Sequence, residues 1–353
     1  MNEHRIRTML EGGGGWPGQL ARAVLWLPGK LYGGLMELRR AAYLTRTLAS
    51  SHPGIPVISV GNVTAGGTGK TPFVAMLSQE LHALGYRSAI LLRGYRRSES
   101  GESDEEMLYR RLCPEALIEA GANRLRSAER AIREGAGVIL LDDGFQHLRI
   151  RRDLDLVLID ALSPWGGGNT IPGGLLREPL SALARVGGVI VTRADQVDQK
   201  VVDELKARLK ILAPHAVVFT ARHRPTRLRR LDGTDIPFDN LNNRNVLALC
   251  GIARPEAFAK TLSSLGANVI DVVAGPDHAD FTQEFIAAVL TRSDKEAAIV
   301  VTTEKDGVKS IFSRLTDNNV DINNVWVLGV DQEVDDRAAL LDLIGGALKT
   351  GSC

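Results

Sequence analysis

The sequence predicts an α/β protein: a parallel sheet covered by helices, with a second, smaller α/β domain behind it and an N-terminal amphipathic helix in front. Three observations carry that expectation. Short β-branched runs alternate with helical stretches from residue 55 onward, one of those runs leads straight into a glycine-rich turn and a helix at 57–71, and apolar residues recur every three or four positions between 17 and 47.

In chain order, Leu20, Val24, Leu27, Leu31, Leu35 and Leu38 make one helical stripe, with Arg22, Lys30, Arg39 and Arg40 nearby. Pro28 has no N–H to give a helix interior and is expected to kink or divide it. Residues 1–50 hold seven Lys/Arg against three Glu, a surplus that suits an anionic membrane surface. The same stripe also suits a helix packed on the body of the protein. Buried strands are expected at 55–60, 88–92, 138–141, 154–159 and 188–191, and helices at 72–84, 124–134 and 197–212. The basic, Pro-containing stretch 222–230 reads as a linker or an exposed ribbon. A second series begins at Asn245, with strands at 246–250, 269–273 and 298–301 and helices at 256–265, 282–290 and 338–348. The expected domains are therefore 1–50, a helical membrane-interface segment; 51–224, carrying the glycine-rich turn; and 225–353, the smaller α/β domain.

Composition narrows the function. Forty-four per cent hydrophobic and 24% charged residues exclude a disordered or collagen-like chain, and 43 basic against 42 acidic side chains exclude a generally basic nucleic-acid binder. Cys113, Cys250 and Cys353 lie far apart without metal-ligand spacing, which speaks for a reducing compartment and against disulfides or zinc. No apolar run reaches the length of a membrane span, and the short one near the N-terminus lacks a cleavage site. Fourteen of the 36 glycines fall within 12–18, 61–69 and 166–174, so their excess is local and mechanical.

The strongest motif is the stretch from Val57 to Thr71, a buried strand followed by the glycine-rich turn Thr64-Ala-Gly-Gly-Thr-Gly-Lys-Thr71 and then a helix, the arrangement of a P-loop. Glycines 66, 67 and 69 let backbone N–H groups converge on phosphate oxygens. Lys70 reaches toward the β- and γ-phosphates, and the Thr71 hydroxyl toward Mg²⁺. The eight residues Thr64, Ala65, Gly66, Gly67, Thr68, Gly69, Lys70 and Thr71 are the expected nucleotide-binding set, with Thr64 standing where the strict pattern has Gly. The sheet is thus P-loop NTPase-like. A second motif, Val138-Ile-Leu-Leu-Asp-Asp-Gly144, ends a buried strand in two carboxylates, where such folds hold Mg²⁺. Asp142 and Asp143 are its candidates.

Two further stretches are open to more than one reading. Ser103-Asp-Glu-Glu106 suits a capped helix start, and equally a general base, Asp104, that deprotonates an acceptor hydroxyl. Asp277-His278 could complete such a site, although an Asp-His pair also suits a surface turn. The long glycine-rich stretch 165–178, ending in Arg177 and Glu178, has the character of a site loop. Thr192-Arg-Ala-Asp195 resembles a guanine-specificity element but lacks its Asn and Lys, and leaves the base undecided.

Together, Thr64 to Pro72, Arg93-Gly-Tyr95, Asp142-Asp-Gly-Phe-Gln-His147, Pro172-Gly-Gly-Leu-Leu-Arg-Glu178, Asp277-His278 and Thr303-Glu-Lys-Asp306 resemble, in order, the motifs of the tetraacyldisaccharide 4'-kinase family of lipid A biosynthesis. The resemblance covers nearly the whole chain. It implies transfer of the ATP γ-phosphoryl group to the 4'-hydroxyl of a tetraacylated disaccharide 1-phosphate at the cytoplasmic face of the bacterial inner membrane. It also implies that the N-terminal helix engages the bilayer, that ATP and Mg²⁺ are the cofactors, and that the lipid A disaccharide precursor is the partner, with no obligate protein partner. By position, Asp104 resembles the catalytic Asp, His278 the His paired with it, Asp142 and Asp143 the metal-side pair, and Glu178 a functional Glu near Mg²⁺-nucleotide. The segment after Arg-Gly-Tyr is shorter here than in relatives, which leaves Glu102, Glu105 and Glu106 as rivals of Asp104. Arg124 and Arg149 are expected to face the anionic substrate. The competing class is a membrane-associated regulatory NTPase of the ParA/MinD type, whose loop carries a lysine where this chain has Ala65. A small GTPase-like switch using residues 192–195 is a third reading.

Overall fold

The computed structural model describes residues 3–13, 15–94, 102–275, 281–309, 311–312 and 322–351. The chain divides into two compact units, residues 3–223 with 332–351, and residues 224–331.

The first unit opens with α1 (Glu3–Glu11) and α2 (Gly15–Leu44), and continues through β1 (Val57–Asn62), α3 (Lys70–Ala83), β2 (Ser88–Leu92), α4 (Asp104–Leu112), β3 (Leu117–Ala120) and α5 (Arg124–Arg133). Then come β4 (Val138–Asp142), β5 (Leu154–Asp160), β6 (Gly188–Thr192), α6 (Gln199–Leu212) and the start of β7 (Val217–Arg230). Its strands stand in the order β3-β2-β4-β1-β5-β6-β7, and all of these neighbours pair in parallel. Strands β1, β2, β4 and β6 are buried along their whole length, as apolar strands covered on both faces must be. One face packs Phe73, Leu77 and Leu81 of α3 on Ile58, Leu140 and Leu156; the other packs Leu205 and Leu209 of α6 on Val157, Val189 and Val191.

The second unit carries β8 (Asn245–Cys250), α7 (Pro255–Ser264), β9 (Asn268–Ala274), α8 (Gln283–Lys295), β10 (Ile299–Thr303), the short α9 (Glu304–Gly307) and most of β11 (Val325–Val334). Its parallel strands run in the order β11-β10-β8-β9. The chain leaves the first unit within β7 and returns within β11, and α10 (Arg337–Thr350) follows.

The expected α/β architecture with its parallel sheets is the one the chain forms. Four local expectations change. The basic stretch 222–230 is part of the continuous strand β7. Strand β3, not foreseen, alternates half-buried and buried residues, the pattern of a sheet edge. Residues 332–351, expected to close the second domain, belong to the first unit, because Leu340, Ile344 and Leu348 of α10 complete the apolar cluster around Leu77 and Leu81. Residues 3–50 belong to that unit as well.

Helix α2 runs unbroken through Pro28 for 30 residues. The ring sits on an exposed face, where the carbonyl that loses its partner has no packing to disturb. Gly18, Gly29 and Gly33 form the buried side, and a Cβ at Gly29 would stand 2.7 Å from the Thr170 carbonyl oxygen. Arg39 donates to Gln146 O at 3.2 Å, Arg40 to Ser181 O at 3.1 Å, and Glu37 accepts from Ser181 Oγ at 2.7 Å. The stripe of Leu20, Val24, Leu27, Leu31, Leu35 and Leu38 faces outward. Of the two arrangements open from sequence, the stripe does not pack on the body of the protein. No described helix is long and apolar enough to cross a membrane.

Candidate active site

Strand β1 ends at Asn62, and the loop after it climbs to Lys70, the first residue of α3. Gly69 holds φ +83°, a conformation that costs a side-chain-bearing residue about 1–2 kcal/mol, and His223 Nε2 lies 2.7 Å from where its Cβ would stand. Glycine is therefore required there twice over. The loop is tied from behind: Asn62 Nδ2 donates to Gly66 O at 3.2 Å, Arg193 to Gly67 O at 3.2 Å, and Thr192 Oγ1 to Thr68 O at 3.0 Å. Arg7 of α1, ion-paired to Glu11 at 2.9 Å, lays its guanidinium against Gly66.

Beside this loop, β4 pairs with β1 so that Asp142 lies opposite Val60. Asp142 is buried; its Oδ2 accepts from the Tyr109 hydroxyl at 2.9 Å, and its Oδ1 has no hydrogen-bond partner. Burial raises this carboxyl above the usual range, and Lys70 opposes the rise. Burial together with Asp142 likewise lifts the Tyr109 phenol well above 10. Asp143 adopts φ +51°, a left-handed turn that aims its carboxylate at Arg177, 2.7 and 2.8 Å away, and at Lys70 Nζ, 3.4 Å away. Burial would raise its carboxyl, but Lys70 and Arg177 outweigh burial and hold it well below the usual range. Arg124, expected to meet substrate, is buried and donates to the carbonyls of Asp142 at 2.6 Å and Asp143 at 3.3 Å, fixing the strand end.

The glycine-rich stretch turns back so that Ala65 N donates to Leu175 O and Arg177 N to Val63 O, both at 2.7 Å. That pairing delivers Arg177 to Asp143. It also takes up the Ala65 amide. Glu178 turns the other way: it is buried and held by Arg185 at 3.0 and 3.2 Å, whose guanidinium lies 3.7 Å over the Phe145 ring.

The acids at the start of α4 separate by partner. Ser103 Oγ accepts from Glu106 N at 3.3 Å, and Glu106 Oε2 accepts from Ser103 N at 2.9 Å, a reciprocal capping box that occupies Glu106. Glu102 pairs with Arg110 at 3.2 Å. Asp104 is the first residue of α4, and the field of Glu105 reaches Tyr109 and Arg124. Asp277 and His278 lie outside the described residues.

The structure thus brings Lys70, Thr71, Asp142 and Asp143 together at the loop and ties Glu178 elsewhere. The orphaned, buried Asp142 Oδ1, with Thr71 beside the Tyr109 hydroxyl, suits Mg²⁺, which takes one or two carboxylates and fills its shell with phosphate oxygens and water. Among the described residues no group of three or more metal-type side chains gathers, so an all-protein cage is not what is offered. Asn62 and Tyr109 were not expected at the site, though Asn62, at a strand end next to the loop, left a signal in the sequence; Thr192 was singled out, but as part of a stretch resembling a base-reading element.

The comparisons with known proteins agree with this geometry. The family model described as tetraacyldisaccharide-1-P 4'-kinase matches residues 21–349. A tetraacyldisaccharide 4'-kinase of Anaeromyxobacter sp. (strain Fw109-5) is 39% identical over 319 residues, 84% of this chain and 85% of that protein. One of Halothermothrix orenii is 34% identical over 350 residues, 89% of this chain and 90% of that protein. The crystal structure of LpxK from Aquifex aeolicus in complex with ATP is 27% identical, with a TM-score of 0.71, covering 93% of this chain and 99% of that one. Arg7 precedes the residues matched by the family model. A chain matched over this much of its length, and folded around this phosphate loop, belongs to the tetraacyldisaccharide 4'-kinase family.

Proposed function

We propose the following division of labour for this lipid A 4'-kinase, which moves the γ-phosphoryl group of ATP to the 4'-hydroxyl of a tetraacyldisaccharide 1-phosphate. The observation that carries it is Lys70 at the mouth of the tied loop, 3.4 Å from Asp143 and beside Asp142. The amides of residues 66–70 receive the phosphates, and Lys70 meets charge on the β- and γ-oxygens. Asp143 and Arg177 hold Lys70 extended over the loop. Thr71 and Asp142 would hold Mg²⁺, which supplies positive charge to the transferred group. Asp104, at the positive end of the α4 dipole, accepts the proton of the attacking hydroxyl. Glu178, through Arg185 and Phe145, steadies the turn that follows Asp143.

The outward stripe of α2 supports seating on an anionic bilayer, with the acyl chains of the precursor left partly in the lipid. On this reading the enzyme works peripherally, at the cytoplasmic face of the inner membrane. The ParA/MinD-type alternative is not favoured, since position 65 is alanine.

Incubation of the purified protein with γ-labelled ATP, Mg²⁺ and the purified lipid A disaccharide precursor tests this reading. Label should appear on the disaccharide, and Lys70→Ala should lower the rate by about a thousandfold or more. Hydrolysis of ATP at a rate indifferent to the lipid, with no labelled product, would overturn it.

A further inference from the structure

Three successive carbonyls of the phosphate loop, those of Gly66, Gly67 and Thr68, each accept a hydrogen bond from a side chain behind the loop: Asn62, Arg193 and Thr192. A trans peptide unit is planar, with its C=O and the following N–H pointing in opposite directions. Anchoring these three carbonyls therefore turns the N–H groups of Gly67, Thr68 and Gly69 to the opposite side, where phosphate would sit. None of the backbone hydrogen bonds among the described residues uses those three N–H groups.

The anchors are themselves held. Arg193 stands at φ +54°, is buried, and is ion-paired to Asp160 at 2.8 Å across the β5–β6 pairing that sets Asp160 opposite Thr192. Thr192 and Asn62 are fully buried at their strand ends. His223 and Gln332, buried or nearly so, fill the space under Gly69. A buried arginine held in a left-handed backbone conformation is a costly arrangement, and orienting the loop explains it.

We infer that Thr192 and Arg193, with Asn62, are positioning residues that preset three consecutive amides of the phosphate loop for the nucleotide β- and γ-phosphates. This gives the Thr192-Arg-Ala-Asp195 stretch a purpose unrelated to reading the base. The inference rests on the assignment of residues 66–71 to phosphate.

The test compares binding of ATP and of adenosine, each with Mg²⁺, by calorimetry on the full-length protein. Thr192→Val removes one hydroxyl at nearly constant shape and so keeps the fold, whereas Arg193→Met takes the arginine's charge from the buried Asp160 and serves only in second place. Thr192→Val should weaken ATP about tenfold, leave adenosine unchanged, and lower kcat with the lipid acceptor; Thr192→Ser should restore both ATP affinity and kcat. Wild-type ATP affinity in Thr192→Val, or equal losses for ATP and adenosine, overturns the inference. Lys70→Ala separates the two levels: if it leaves ATP affinity and transfer intact, the phosphate assignment itself fails. If Lys70→Ala loses both while Thr192→Val loses neither, only the positioning role falls.

Discussion

Replacing Leu27, Leu31 and Leu35 together by glutamine probes the outward face of α2 with little risk to the fold. These side chains are 58%, 69% and 57% exposed, so their removal takes little from the core, and glutamine keeps helix propensity without adding charge. Full burial of a leucine is worth about 1.5–3 kcal/mol, and the surface still open on each of these leaves about 1–2 kcal/mol for a bilayer to gain. Three together amount to about 3–6 kcal/mol, or roughly a hundred- to ten-thousandfold in partitioning. Flotation with vesicles containing anionic lipid measures the partition, and thermal unfolding in solution checks that the fold is kept. The variant should remain in the soluble fraction while its unfolding temperature stays within a few degrees of wild type. Flotation equal to wild type would refute the argument that this stripe meets lipid.

Asp104→Asn should lower kcat at least a hundredfold with ATP affinity unchanged, while Glu105→Gln should leave kcat within a few-fold; the reverse pattern would hand the base role to Glu105. Burial and then Arg193 push the His223 imidazole down to about 3 from an ordinary 6.5. Its folded value lies below its unfolded value, so the stability it lends is whole above about pH 6.5 and is lost as pH falls toward 3. His223→Gln should accordingly flatten the decline of unfolding free energy between pH 6.5 and 5 by about one proton, roughly 1.4 kcal/mol per pH unit, and an unchanged slope would count against it. Gly29→Ala places a methyl 2.7 Å from the Thr170 carbonyl and should cost about 1–3 kcal/mol in thermal or urea unfolding, whereas Gly34→Ala, which meets nothing, should not destabilise.

Features that depend on neighbouring residues were legible in the sequence. The apolar runs of β2, β4 and β6 and the glycine-lysine turn at 66–71 declare themselves, because burial on both faces and left-handed backbone each demand particular residue types locally. Asp142 and Asp143 could be placed at the loop because a strand end beside a P-loop has few other positions. Their division of labour was not legible. Two adjacent carboxylates look alike in a sequence, yet Tyr109 takes one and Arg177 with Lys70 the other.

By itself, the sequence determined an α/β chain built around a phosphate loop, with an amphipathic helix at its start. Only the tertiary structure decided which way that helix faces, that Glu178 answers to Arg185 rather than to the loop, and that Thr192 and Arg193 serve the loop from 124 and 126 residues away. The physical reason is range. Backbone conformation and strand burial follow from residues a few positions apart, whereas hydrogen-bond and ion-pair partners are chosen by the sheet register, which sets side chains 3 Å apart whatever their separation along the chain.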